Sequence, residues 1–234
     1  MNATQTMKTS KFRILGVGSM FAALLLAGAG CTTTNYQTGV ATSKDIQITA
    51  DQVERARGRL DVALAALNVL VNNPTNMPAQ YATFTGAVAD LQTSAKGVAT
   101  KINSMRTKGT EYFKNWDEQA AQIQNEHIKS RSVARKQEMQ NRFTKITMSS
   151  TALGDSYRPL MSDLQDIQTA LGTDLTVGGI SAVQDDAKKA NQDAVPLRKV
   201  GDDLVAQLKD LSTAMADFAP PPAPPAPPAA TASK

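Results

Sequence analysis

The chain has 234 residues, with 25 Lys and Arg against 21 Asp and Glu, one histidine and one cysteine. A single cysteine excludes an intrachain disulfide, and one histidine with one cysteine excludes a zinc site of ordinary ligand composition. The formal charge of +4 points to a polyanion partner only until the start of the chain is read.

Lys8, Lys11 and Arg13 form a basic opening with no acidic residue before residue 31. A mostly apolar run follows from Ile14 to Leu26, then Gly28-Ala29-Gly30 and Cys31. A charged start, a short apolar core and small residues before a cut site are the parts of a secretory signal. The run falls short of the ~20 apolar residues of a transmembrane helix. Cysteine directly after three small residues resembles the lipobox of bacterial lipoproteins, although Gly28 stands where an aliphatic residue is usual. Residues 1–30 therefore read as a signal peptide, and Cys31 as the lipid-bearing first residue of the mature protein. Removing Lys8, Lys11 and Arg13 takes three of the 25 basic residues and leaves 22 against 21 acidic ones. The near-balance removes the case for nucleic acid as a partner. Thr32, rather than Asp, follows the cysteine; by resemblance to enteric sorting rules this favours the outer membrane, facing the periplasm.

Residues 32–47 are Thr-rich and lack apolar periodicity, so 31–48 reads as a lipidated N-terminus and tether. Thr49-Ala50-Asp51-Gln52 has the pattern of a capping box opening a first helix over 49–73. Its seam is Val53, Ala56, Leu60, Ala63, Leu67 and Leu70, widened by Leu64 and Val71. The run from Asn72 to Pro78 is a turn. A second helix over 77–129 carries Tyr81, Phe84, Val88, Leu91, Ala95, Val98, Ile102 and Met105 at alternating steps of three and four. The break after it, near Lys129 to Ser132, is the least marked. The third seam runs Met139, Phe143, Ile146, Ser150, Leu153, Tyr157, Leu160, Leu164, Ile167 and Leu171. Gly172-Thr173-Asp174 and Gly178-Gly179 interrupt it, and Ser181-Ala182-Val183-Gln184 has the pattern of a second capping box. The fourth seam runs from Val183 through Ala187, Ala190, Ala194, Leu197, Gly201, Leu204, Leu208, Leu211 and Met215 to Phe218. Pro159 and Pro196 lie inside helical patterns and predict kinks. Residues 219–234 begin as an Ala-Pro run that favours polyproline II and form a proline-rich, disordered tail.

Seams of 3.5-residue average spacing favour left-handed antiparallel packing. The expected fold is all-α: an elongated antiparallel four-helix coiled-coil bundle over 49–218, with one long helical hairpin. At ~1.5 Å per residue the first helix covers only half of the second. The hairpin tip near residue 131 then projects past the start of the first helix, at the same end as the tether and the tail. Folding back at 131 places Trp116 near Ile146, Ala120 near Phe143, Met105 near Tyr157 and Val98 near Leu164.

Val53-Glu54-Arg55-Ala56-Arg57, Tyr112-Phe113-Lys114-Asn115-Trp116, Tyr157-Arg158-Pro159-Leu160-Met161 and Leu171-Gly172-Thr173-Asp174-Leu175 resemble landmarks of the domain-of-unknown-function-2959 family. The resemblance covers about residues 45–215. It implies a helical bacterial envelope protein and supplies no catalytic residues. Some members carry a DNA-repair ATPase label, but this chain has no Gly-rich phosphate loop ending in Lys-Ser or Lys-Thr.

Little else in the sequence carries chemistry. His127 has no second ligand near it in sequence, and no Gly-x-Ser-x-Gly elbow occurs. Asp185-Asp186 and Asp202-Asp203 point ~100° apart on a helix and form no dyad. Tyr112 and Trp116 continue the second seam, whereas Phe113 lies off it and suits contact with another helix or a partner. Lys129, Arg131, Arg135 and Lys136 form a basic cluster and a candidate contact with an anionic surface. The function expected is a membrane-anchored structural or adaptor lipoprotein of the envelope, not an enzyme, without cofactor or metal, whose partners are the membrane and envelope proteins. The alternative is a periplasmic ligand-binding bundle with a pocket near Trp116, where Gly109 and Ala120 leave space.

Overall fold

Asparagine and threonine side chains set the helix starts in the computed structural model, which describes residues 35–216. The side chain of Asn76 accepts from Ala79 N, and Pro78 sits in the first turn of the helix that follows. Asn125 accepts from His127 N at 3.0 Å and Ile128 N at 3.1 Å, and Thr176 accepts from Gly179 N. Each cap satisfies an N–H that the first turn leaves without an intrahelical partner. The resulting elements are α1 (Asn35–Asn72), α2 (Met77–Ala120), α3 (Glu126–Thr173), the short α4 (Val177–Ala182) and α5 (Gln184–Ala216). No strand occurs among the described residues. The four long helices pack antiparallel. In cross-section α1 touches α2 and α5, and α3 touches the same two from the other side.

Four readings of local sequence are corrected. The tether shrinks, because α1 begins at Asn35 and residues 35–48 belong to it. Thr49 is not a cap: it is buried in mid-helix, and its hydroxyl donates to Asp45 O at 2.8 Å. The α2–α3 break falls at 121–125 rather than 129–132. Gln122 N and Ile123 N bond three residues back and tighten the end of α2, and Asn125 opens α3. Ser181 lies inside α4, which Thr176 starts, so the second capping box does not form at the predicted place. Gly179 lets α4 approach the turn before it, since a Cβ there would lie 2.0 Å from Asp174 O.

The seams point inward as expected. Leu64, Leu67, Leu70, Phe84, Leu160, Leu164 and Leu171 are among the fully enclosed side chains. Each such leucine contributes ~1.5–3 kcal/mol relative to exposure. The interior divides into two clusters along the helices. The distal one joins Leu60–Val71, Phe84–Leu91, Leu160–Leu171 and Ile180–Leu197. The proximal one joins Ile46–Val53, Val98–Phe113, Met139–Ile146 and Leu204–Met215. α3 and α5 both continue through their prolines, each on an exposed face.

The hairpin of α2 and α3 folds back as expected, but its register is corrected. Trp116 Nε1 donates to Ser132 Oγ at 2.9 Å, so Trp116 meets a residue about four turns earlier on α3 than Ile146. Phe113, not Ala120, stacks edge-on against Phe143 at 5.7 Å. The shift follows from the earlier turn. The predicted length mismatch also largely disappears, because α1 reaches back until Gly39 lies against the Tyr112 ring. Ser43 and Ser212 join the start of α1 to the end of α5 by reciprocal bonds, each hydroxyl donating to the other's carbonyl at 2.9 and 3.1 Å.

Candidate functional site

The two interior clusters meet at a waist where side chains become small. Ala95 and Ala99 stand on α2, Ser150 and Gly154 on α3, and Ala56 on α1, all around one opening. α2 and α3 share the most loosely packed of the four long-helix faces. They are latched at two levels of that face. At the distal level Tyr81 Oη donates to Gln168 O at 2.9 Å. At the proximal level Arg106 Nη2 donates to Thr147 O at 3.1 Å and Thr151 Oγ1 at 3.2 Å. Between the latches lies a cavity of about 650 Å³, open to one side. Val53 and Leu60 from α1 and Leu197 from α5 form its floor, and Leu91, Val98, Ile102 and Met161 line its walls. The volume falls inside the ~300–1,000 Å³ of small-molecule sites.

The rim is basic. Arg57, Lys96, Arg106, Arg158 and Arg198 border the opening, against one acid, Asp155. Arg57 is paired with Asp202, Arg158 with Asp155, and Arg198 with Asp61 at 2.8 Å. Lys96 and Arg106 have no carboxylate within 4 Å among the described residues. Tyr157, half-buried on the α3 side, has its phenol pushed above the ordinary value by burial.

The space predicted near Trp116 at Gly109 and Ala120 is filled, and the opening beside it on the α2–α3 surface is lined by Phe113, Lys114, Asp117 and Phe143. Phe143 fills the space beside Gly109 so closely that a Cβ there would lie 2.3 Å from the ring. Tyr112 stacks edge-on against both Phe113 and Trp116, and Ala120 is buried. Phe113 makes contact with another helix, as its off-seam position suggested, and that helix is α3.

The four basic residues of the predicted surface contact lie on the first three turns of α3. Three of them have a carboxylate neighbour. Lys129 lies 3.8 Å from Glu126, and Lys136 pairs with Asp117. Arg135 donates to Glu138 at 2.7 Å and to Ala214 O at 3.3 Å. Arg131 is exposed. Glu138 also receives Arg142, and these hydrogen bonds hold its carboxyl below the usual range. Among the described residues, His127 is exposed and no group of three metal-ligating side chains comes together. No described helix is long and apolar enough to cross a membrane. Cys31 and the proline-rich stretch from 219 lie outside the described residues.

The waist went unread in the sequence, but a signal was there. Ala95 and Ser150 are the small members of their seams, and each has a glycine nearby, Gly97 and Gly154. Two facing seams that lose bulk at one level leave space.

An antiparallel bundle of four long helices, opened on one side at its middle, is the class that the geometry defines. The chain belongs to the family described as protein of unknown function (DUF2959), whose model matches residues 41–211. No curated protein and no solved structure matches the chain.

Proposed function

We propose that this chain is a lipid-anchored protein of the bacterial cell envelope, a structural or adaptor module rather than an enzyme. The observation that carries the reading is the order of features at the start: a basic opening, a short apolar run, Gly28-Ala29-Gly30 and then Cys31. Thr32 directs the anchored protein to the outer membrane, facing the periplasm. The bundle suits a non-enzymatic role because three of the four carboxylates noted in sequence are engaged in surface ion pairs. Asp185 meets Lys188, Asp202 meets Arg57 and Asp203 meets Lys199. Such pairs keep a helical exterior soluble and contribute little to stability. Metabolic labelling with a fatty acid tests the anchor. Wild type should carry label, and Cys31→Ser should lose it and accumulate uncleaved precursor. Label that persists on Cys31→Ser ends the lipoprotein reading.

A second reading, a ligand-binding bundle, is favoured by one observation, the cavity between α2 and α3. It is compatible with the anchor, since a tethered bundle can hold a ligand at the membrane it is tethered to.

A further inference from the structure

Arg106 is placed unusually for a surface arginine. Its Nη2 bridges α2 to α3 through Thr147 O and Thr151 Oγ1. Its Nε is buried and has no hydrogen-bond partner. Among the described residues no carboxylate neutralises the guanidinium. A buried donor on a cation that bonds to nothing forfeits its hydration without return. A guanidinium offers a planar fork that matches the two oxygens of a carboxylate or phosphate. Arg106 stands at one end of the cavity, whose lining beyond it is Ile102, Val98, Ala95 and Leu91. Lys96, also without an ion pair, adds a second positive charge on the same rim.

We propose that the α2–α3 opening binds a single-chain anionic amphiphile. The hydrocarbon chain lies along Val98, Ala95 and Leu91, and the carboxylate or phosphate head takes Arg106. The proposal rests on the ligand-binding reading and is independent of the anchor at Cys31. The bonds of Tyr81 and Arg106 across the α2–α3 face bound the opening on either side, which suits a short flexible chain rather than a partner helix. Charge argues for an anion, since Lys96 and Arg106 on the rim have no carboxylate partner among the described residues, while the other three rim cations are paired.

Calorimetric titration tests this on the full mature chain carrying Cys31→Ser, so that its own acyl chains cannot occupy the site. Three probes are used below their micelle concentrations: oleate, oleoyl-lysophosphatidate and the neutral oleyl alcohol. One equivalent of oleate or of lysophosphatidate should bind. A preference between them tells a free fatty acid from a phospholipid product. Arg106→Gln should weaken both anions about tenfold or more and leave the alcohol unchanged. Ala95→Phe should block all three while keeping the wild-type melting temperature. Ser162→Phe, from the α3 lip, replaces it if Ala95→Phe does not fold. Absence of saturable anion binding by wild type overturns the proposal. So does equal binding by Arg106→Gln, or by a folded cavity-filling variant. A chain that binds no amphiphile but crosslinks to a protein through the α2 and α3 lips hands the opening to a protein partner and also overturns it. Loss of fatty-acid label at Cys31 with oleate binding intact, or the reverse, shows which of the two readings has failed.

Discussion

The two ends of the bundle reach the same degree of burial with different side chains. The distal core is built on leucines, with Ala187, Ala190 and Ala194 bringing α5 close. The proximal core uses Tyr112, Phe113 and Phe143 and the methionines Met105, Met139 and Met215. It also takes in polar residues. Ser43 and Ser212 are buried and bonded to one another's backbone, and the Thr42 and Thr49 hydroxyls bond back to their own helix, at Thr38 O and Asp45 O. A leucine seam buries by its pattern alone. A polar segment buries only when each hydroxyl finds a partner, and in α1 each of these does.

The sharpest way to break this comparison is at Ile46, which is 0% exposed in the proximal core although its neighbours read as a tether. Ile46→Ala should cost about 2–5 kcal/mol in urea unfolding, as for a buried aliphatic residue in a packed core. A change near zero would return residues 35–48 to a loose tether. A pair of glycines then sets a filled seam against the waist. Gly109→Ala should cost about 1–3 kcal/mol, because its Cβ would lie 2.3 Å from the Phe143 ring, and Phe143→Leu should restore much of the loss. Gly154→Ala has the opposite sign. Its Cβ meets nothing closer than Arg158 Nη1 at 3.7 Å, so relief of the helix-interior glycine should gain about 0.5–1 kcal/mol. Equal signs for the two substitutions would mean that the waist is packed like the cores.

The smallest expected effect is alkaline. Burial pushes the Tyr112 phenol above its ordinary value of 10.0, and Arg135 pulls it back in part. The folded state therefore favours the neutral phenol. This contribution is fully present below pH 10.0, and it is lost as pH rises from there towards the folded value. Tyr112→Phe should flatten the fall in urea midpoint between about pH 9 and pH 11. An unchanged alkaline limb would place Tyr112 in solvent and loosen the proximal core.

Much of the fold was legible because leucine spacing is a strong signal. The seams of α2, α3 and α5 carry an apolar residue at nearly every third or fourth step, and that periodicity needs no knowledge of the partner helix. What failed depended on local hydrogen bonds or on tertiary context. Asn125 marks the true hairpin turn with one side chain, a weaker signal than the prolines and glycines of the other turns. Thr42 and Ser43 read as tether residues and Thr49 as a cap, although all three are buried in α1. Arg106 was not distinguishable from the other surface arginines. Its importance comes from which α3 residues it reaches, and the misplaced register concealed them. The cavity was misplaced for a related reason. Gly109 looks like empty space in sequence, but a large ring from another helix occupies it, while the small residues of the waist face one another.

The Ser43–Ser212 clasp also constrains the order in which the chain can fold. It joins residues 169 apart in sequence, and both cores contain α5 residues. Synthesis delivers the chain N-terminus first, so α1 and α2 can form their hairpin early across the short turn at 73–76. Neither core can close until the last described helix has emerged. Until then α1 exposes Ile46, Leu60, Leu64 and Leu67 on a half-built face, for as long as about 140 further residues take to appear. The chain thus concentrates its entropic cost of closure in one late step, the docking of α5 onto both halves.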